Sequence, residues 1–134
     1  MLRFIYLLAF SALCATSTHA QQNNTSPASC PGRTLRVDYD FSGNTHAQHI
    51  AVAGLSSFSG WAGRRGHTDS VPLRGNGDIT LRDLHTGRVL YCQSFSTLFQ
   101  EWLTTEEATH TSRSFENTFL LPMPADSAEV TVRL

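Results

Sequence analysis

The chain has 134 residues, 40% of them hydrophobic and 16% charged, with a formal net charge of -1 at pH 7. This is the composition of a globular protein, not of a disordered, collagenous or repeat chain. All ten basic residues are arginine. A chain this close to neutrality has no field to gather nucleic acid or an anionic membrane, so nucleic-acid partners are excluded.

The N-terminus reads as an export signal. Arg3 gives a positive start, residues 4–13 are almost entirely apolar, and Thr18-His19-Ala20 places small residues at the -3 and -1 positions. Cleavage is expected after Ala20, leaving residues 1–20 as a signal peptide. The apolar run is half the length a membrane span needs, so no membrane span is expected. The destination implied is periplasmic, cell-surface or secreted. Cys14 near the end of the run suggests a lipoprotein, but Leu13 is bulky where a lipidation site wants a small residue.

Without the signal the chain keeps Cys30 and Cys92. In an oxidising compartment they can pair, and closing so long a loop would add roughly 4 kcal/mol. The competing reading puts Cys30 in a linker and Cys92 in an apolar strand as a small buried hydrophobe. Both readings stay open on the sequence.

Residues 21–33 are rich in Gln, Asn, Ser and Pro and read as a flexible leader, with overlapping glycosylation sequons at Asn23 and Asn24. Residues 34–134 form the domain. Thr34-Leu-Arg-Val-Asp-Tyr-Asp-Phe41 alternates strictly, with Leu35, Val37, Tyr39 and Phe41 on one face. That period is a strand with one dry face. Ser42-Gly43-Asn44 turns the chain, and residues 46–53 follow as a second strand. Residues 55–74 read as irregular. Strands are next expected at 79–84 and 88–94, joined as a hairpin through His85-Thr86-Gly87.

The period changes at Phe95. Phe95, Leu98, Phe99, Trp102 and Leu103 repeat at helical spacing, so a short amphipathic helix is expected near 95–103, capped by Ser94 or Ser96. Thr104-Thr-Glu-Glu107 has capping-box spacing and suggests a further helical turn. Alternation returns at 115–121 and again at 129–134. Six short strands, one helix and no βαβ rhythm predict a mainly β fold, an antiparallel β-sandwich. The last strand reaches the final residue without a turn, which reads as a domain truncated at its C-terminus.

The chemistry-bearing motifs are sparse. A zincin needs His-Glu-x-x-His on one helix face, and none of the six histidines precedes a glutamate. His46 and His49 point to opposite faces of a strand. There is no Gly-x-Ser-x-Gly elbow, and Cys92 sits in an apolar strand, unlike an activated thiolate. Gly60-Trp-Ala-Gly-Arg-Arg-Gly66 is glycine-rich, but no helix pattern follows it to complete a phosphate cradle. Glu106 and Glu107 diverge on a helix surface as a solvated face. These residues predict no catalytic, metal or cofactor site, hence no enzyme. One surface remains: Trp61 as an aromatic platform beside the donors of Arg64 and Arg65. The alternative has Trp61 plugging the sandwich end and the arginines paired with Asp38 or Asp40.

Several of these segments resemble a known family. Leu35-Arg-Val-Asp-Tyr-Asp-Phe-Ser-Gly-Asn44, Leu55-Ser-Ser-Phe58, Gly60-Trp-Ala-Gly-Arg-Arg65 and Gly75-Asn-Gly77 are similar to the N-terminal domain of the IgA-type metallopeptidases, peptidase family M64. So are Ser94-Phe-Ser-Thr-Leu-Phe-Gln-Glu-Trp-Leu103 and Ser114-Phe-Glu-Asn-Thr-Phe-Leu-Leu-Pro-Met-Pro124. The resemblance runs from about residue 34 to residue 134. It implies a β-sandwich that precedes a zinc protease domain in exported bacterial proteins. The family's zinc ligands and catalytic glutamate belong to that following domain, so no catalytic residue carries over to this chain. The expected role is a non-catalytic module that positions the absent protease domain, or binds substrate or a surface. The alternative is a freestanding envelope module that binds a protein or glycan ligand.

Overall fold

The computed structural model of the protein describes residues 29–71 and 74–134, with side chains from residue 32 onward. The signal peptide, the sequons, most of the leader and the side chain of Cys30 lie outside the described residues. The Cys30–Cys92 pairing therefore does too. Cys92 itself is buried, with no disulfide partner among the described residues.

Among the described residues, six strands form two antiparallel three-stranded sheets, as expected for a sandwich. In chain order they are β1 (Ser29–Gly43), β2 (Gln48–Ser59), β3 (Gly77–Asp83), β4 (Val89–Phe95), β5 (Arg113–Pro124) and β6 (Ala128–Arg133). One sheet has the order β2-β1-β5, the other β4-β3-β6. The chain thus makes a hairpin in the first sheet and crosses to make a hairpin in the second. It then returns to lay β5 beside β1 and crosses again to lay β6 beside β3.

The alternating residues of β1 behave as their pattern requires. Val37, Tyr39 and Phe41 are buried, while Arg36, Asp38 and Asp40 lie on the opposite face. Phe119 and Leu121 join them from β5, and Ile79, Leu81, Leu90 and Tyr91 close the core from the second sheet. Burial raises the Tyr39 phenol above its ordinary value. Two strands outrun their sequence signals. β1 begins at Ser29, upstream of the alternation, where it pairs with Pro124. β2 continues to Ser59 through residues expected to be irregular. A β-bulge explains the second case. Asp38 pairs with Gly54 and Tyr39 with Val52, leaving Ala53 unpaired, so the alternation changes phase in mid-strand.

The helical stripe is also trimmed. The helix α1 covers only Leu98–Trp102, because Phe95 is the last residue of β4. Its N-cap is Thr97, neither Ser94 nor Ser96; the Thr97 hydroxyl accepts from the Gln100 amide at 3.2 Å. Phe99 and Trp102 are buried, but Leu98 is 69% exposed. Phe99 and Trp102 plug one end of the sandwich, with Phe99 6.4 Å from Phe41 and 5.9 Å from Phe115 between ring centroids. Beyond the helix, the hydroxyls of Thr104 and Thr105 donate back to the carbonyls of Glu101 and Trp102, both at 2.7 Å. That satisfies carbonyls the helix would otherwise leave open and ends it. The further turn appears as a 3-10 segment, Glu107–Thr109, without a side-chain cap. No helix among the described residues is long and apolar enough to cross a membrane.

Candidate binding site at the Trp61 loop

The loop after β2 carries the three residues singled out from the sequence. It is anchored at its root: Gly60 donates its amide to the Gly32 carbonyl and accepts from the Thr34 hydroxyl. Gly60 takes a φ of +93°, a conformation in which a β-carbon is strained. Trp61 then folds over Gly63 so closely that any side chain there would collide with the indole. The indole meets the Tyr91 ring edge-on at 5.5 Å and donates Nε1–H to the Arg64 carbonyl at 3.3 Å. Trp61 is therefore half-buried and packs against the core.

Arg64 and Arg65 do not join Trp61 in one outward surface. The Arg64 guanidinium lies over the Tyr91 ring, 5.4 Å from its centroid. It donates to the carbonyls of His67 at 2.7 Å and Ser70 at 2.6 Å, and to the Cys92 carbonyl. A fork with five donors fits several carbonyls at once, so Arg64 clasps the loop to β4. Arg65 donates to the Trp61 carbonyl at 3.0 Å and is otherwise exposed. Neither arginine pairs with Asp38 or Asp40. Asp38 takes its bonds from Thr118 at 2.6 Å and Arg36 at 2.9 Å instead, and these hold its carboxyl below the usual range.

Trp61 lines a cleft of about 600 Å3 together with Phe58, Tyr91, Gln93 and Leu120. Phe58 and Leu120 are the residues that sequence reasoning missed. Phe58 was hidden by the bulge, which breaks the alternation that would have placed it on a strand. Leu120 lies one residue out of phase with the buried face of β5, so its signal was a polar-face position holding an apolar residue. The cleft can hold an apolar or flat ring-like group, with Gln93 and Thr34 as its polar edge. A second cleft, of about 530 Å3, lies along the outer face of β3 and β4. Arg74, Arg82 and Arg133 face Asp69 and Asp78 there, so its charge is mixed. Among the described residues, no group of three or more His, Cys, Asp or Glu is placed to hold a metal ion.

With this geometry in hand, comparison with known proteins assigns the chain. The family described as Peptidase M64 N-terminus matches residues 29–134, the span of all six strands. The chain belongs to that family. The Peptidase M64 N-terminus match begins at the first residue of β1, upstream of the point where the sequence resemblance starts. No curated protein matches the chain. Within this family the long aromatic motifs gain a physical meaning. Phe95, Phe99 and Trp102 build the plugged end of the sandwich, and the Trp61 loop is the clasp that covers β4.

Proposed function

We propose that this chain is a non-catalytic N-terminal module of an exported zinc metallopeptidase, which positions the peptidase domain or presents a surface to its substrate. The observation that carries this reading is the extent of the family match. It covers the whole described unit, so the unit corresponds to the region that precedes the peptidase. The use of the polar side chains supports it. Arg64, Asp38, Asp83 and Thr97 each spend their donors or acceptors on the fold itself. The signal-like N-terminus supports export.

The test is an assay of the purified chain with and without added zinc on casein. No turnover and no stoichiometric metal are expected. Casein cleavage that tracks bound zinc would refute the reading.

A second reading, a freestanding envelope module that binds protein or glycan, draws on the apolar cleft beside Trp61. Aromatic faces at cleft walls suit flat, partly apolar ligands. Titrating the chain with peptide and oligosaccharide panels, followed by indole fluorescence, tests it. A saturable change weakened in Phe58→Ala, which lines the cleft and leaves both indoles in place, supports this reading, and no change with any ligand counts against it.

A further inference from the structure

Four strands lie at sheet edges, and three of those edges are blunted. Along β4, Thr68 accepts the Cys92 amide at 2.7 Å, and Arg64 covers the Cys92 carbonyl. β5 carries Arg113, Glu116, Pro122 and Pro124; β6 is six residues long and carries Glu129 and Arg133. Charge, proline, shortness, bulges and cover are the usual means of stopping a strand from pairing outward.

β2 has the bulge at Ala53 but none of the others. Its twelve residues, Gln48–Ser59, include no Asp, Glu, Lys, Arg or Pro. Among the described residues, no turn or loop backbone group bonds to residues 48–59. The strand also carries a stripe that belongs to a core. Ile50, Val52 and Leu55 stand opposite the buried Phe41, Tyr39 and Val37 and so share their face. They are nevertheless 41%, 57% and 67% exposed. The core face of this sheet runs on past the sheet that covers it.

We propose that β2 pairs antiparallel with β2 of a second copy of this chain, giving a two-fold dimer with one continuous six-stranded sheet. The strand is complementary to itself in two respects. It carries no Asp, Glu, Lys or Arg, so no like charges of these residues meet across the two-fold axis. The bulge also makes its faces match. With the axis between Val52 and Ala53, Ile50 stands opposite Leu55 of the partner subunit, core face to core face. His49 then stands opposite Ser56 of the partner subunit, and Ala51 opposite Gly54 of the partner subunit, on the outer face. Without the phase change at Ala53, Ile50 and Leu55 would lie on opposite faces and this register would mix them. The two stripes join into one apolar strip.

Sedimentation velocity of the purified chain from about 1 to about 100 µM tests this, because mass action makes a dimer concentration-dependent. The expected result is a closed dimer. Val52→Lys should weaken it at least about tenfold, while Leu98→Lys, on the exposed face of α1, should leave it unchanged. Near-UV circular dichroism checks that each variant is folded. If Val52→Lys fails to fold, deuterium exchange of the wild-type chain decides: amides of residues 48–59 should slow on going from dilute to concentrated protein. A monomer throughout, a dimer indifferent to Val52→Lys, or exchange in 48–59 indifferent to concentration would overturn the proposal. So would a monomer whose 48–59 amides are protected only by an added peptidase domain of the family, which would make that domain the occupant.

Discussion

Phe95 and Phe119 meet across the sandwich, β4 against β5, with ring centroids 4.7 Å apart. It is the shortest of the aromatic contacts, and it ties together two strands from different sheets. Phe41 sits 6.4 Å from each of them, so the pair anchors a cluster spanning both layers. Phe119→Ala should cost about 3–5 kcal/mol, as expected for a buried phenyl. A double-mutant cycle with Phe95→Ala should give a coupling of about 0.5–1.5 kcal/mol, the worth of a tilted ring pair beyond area burial. Urea unfolding of the three variants measures it. A coupling near zero would mean that the sheets do not pack through these rings.

Trp102 is buried against Phe99 and Phe115, yet its indole Nε1–H has no hydrogen-bond partner among the described residues. Trp102→Ala removes the packing and should cost about 3–5 kcal/mol. Trp102→Phe keeps a ring in place and removes a buried orphan donor, whose own burial costs about 1–3 kcal/mol. The two effects oppose, so Trp102→Phe should fall within about 1 kcal/mol of wild type. Comparing denaturation midpoints checks this, and a large loss in the phenylalanine variant would show that the indole proton is partnered in solution.

Arg64 joins the loop to the edge of β4 through three carbonyls. Arg64→Ala should free the loop and cost about 1–3 kcal/mol, the usual worth of hydrogen bonds to a charged group that is partly exposed. Arg64→Lys should recover little, because an ammonium cannot reach carbonyls in a forked arrangement. Hydrogen exchange gives the specific readout: the Cys92 amide, bonded to the Thr68 carbonyl, should exchange faster in both variants.

Two carboxylates are held below their ordinary pKa. Asp83 accepts the amides of Thr86 at 2.8 Å and His85 at 2.9 Å, which lowers its pKa and shapes the β3–β4 turn. Asp38 is lowered by Thr118 and Arg36. A carboxyl with a depressed folded pKa stabilises the protein above the unfolded value. That contribution is lost as pH falls through the folded value. These two groups should therefore make the thermal midpoint decline once pH drops below about 3.9. Asp83→Asn should make the decline shallower. An unchanged decline in Asp83→Asn would remove Asp83 from this account.

The fold was largely legible because strand period and helix period are local signals. β1 could be read from Leu35, Val37, Tyr39 and Phe41 alone, since every second side chain is apolar and the core is on one side. β2 could not be read past Ala53, because a bulge is a property of the pair and not of the strand. The helix cap is Thr97 because β4 runs through Ser94 to Phe95 and the helix starts only at Leu98; Ser94 is engaged elsewhere. Its hydroxyl accepts the Gly75 amide at 2.5 Å and donates to the Gly77 carbonyl at 2.9 Å. The candidate site was legible only at Trp61. Arg64 looked like a surface donor because nothing in Gly60-Trp-Ala-Gly-Arg-Arg indicates that the chain turns back to offer it three carbonyls.

The order in which strands enter the two sheets has a consequence for how the protein is made. Each sheet takes its third strand from residue 113 onward, β5 for one and β6 for the other. Neither layer can be completed while the ribosome still holds those residues; the β1–β5 partners lie 70–95 residues apart and the β3–β6 partners 45–55. Such topology folds slowly and late. Until residues 113–133 emerge, both layers stay one strand short, with β1 and β3 each open along one edge.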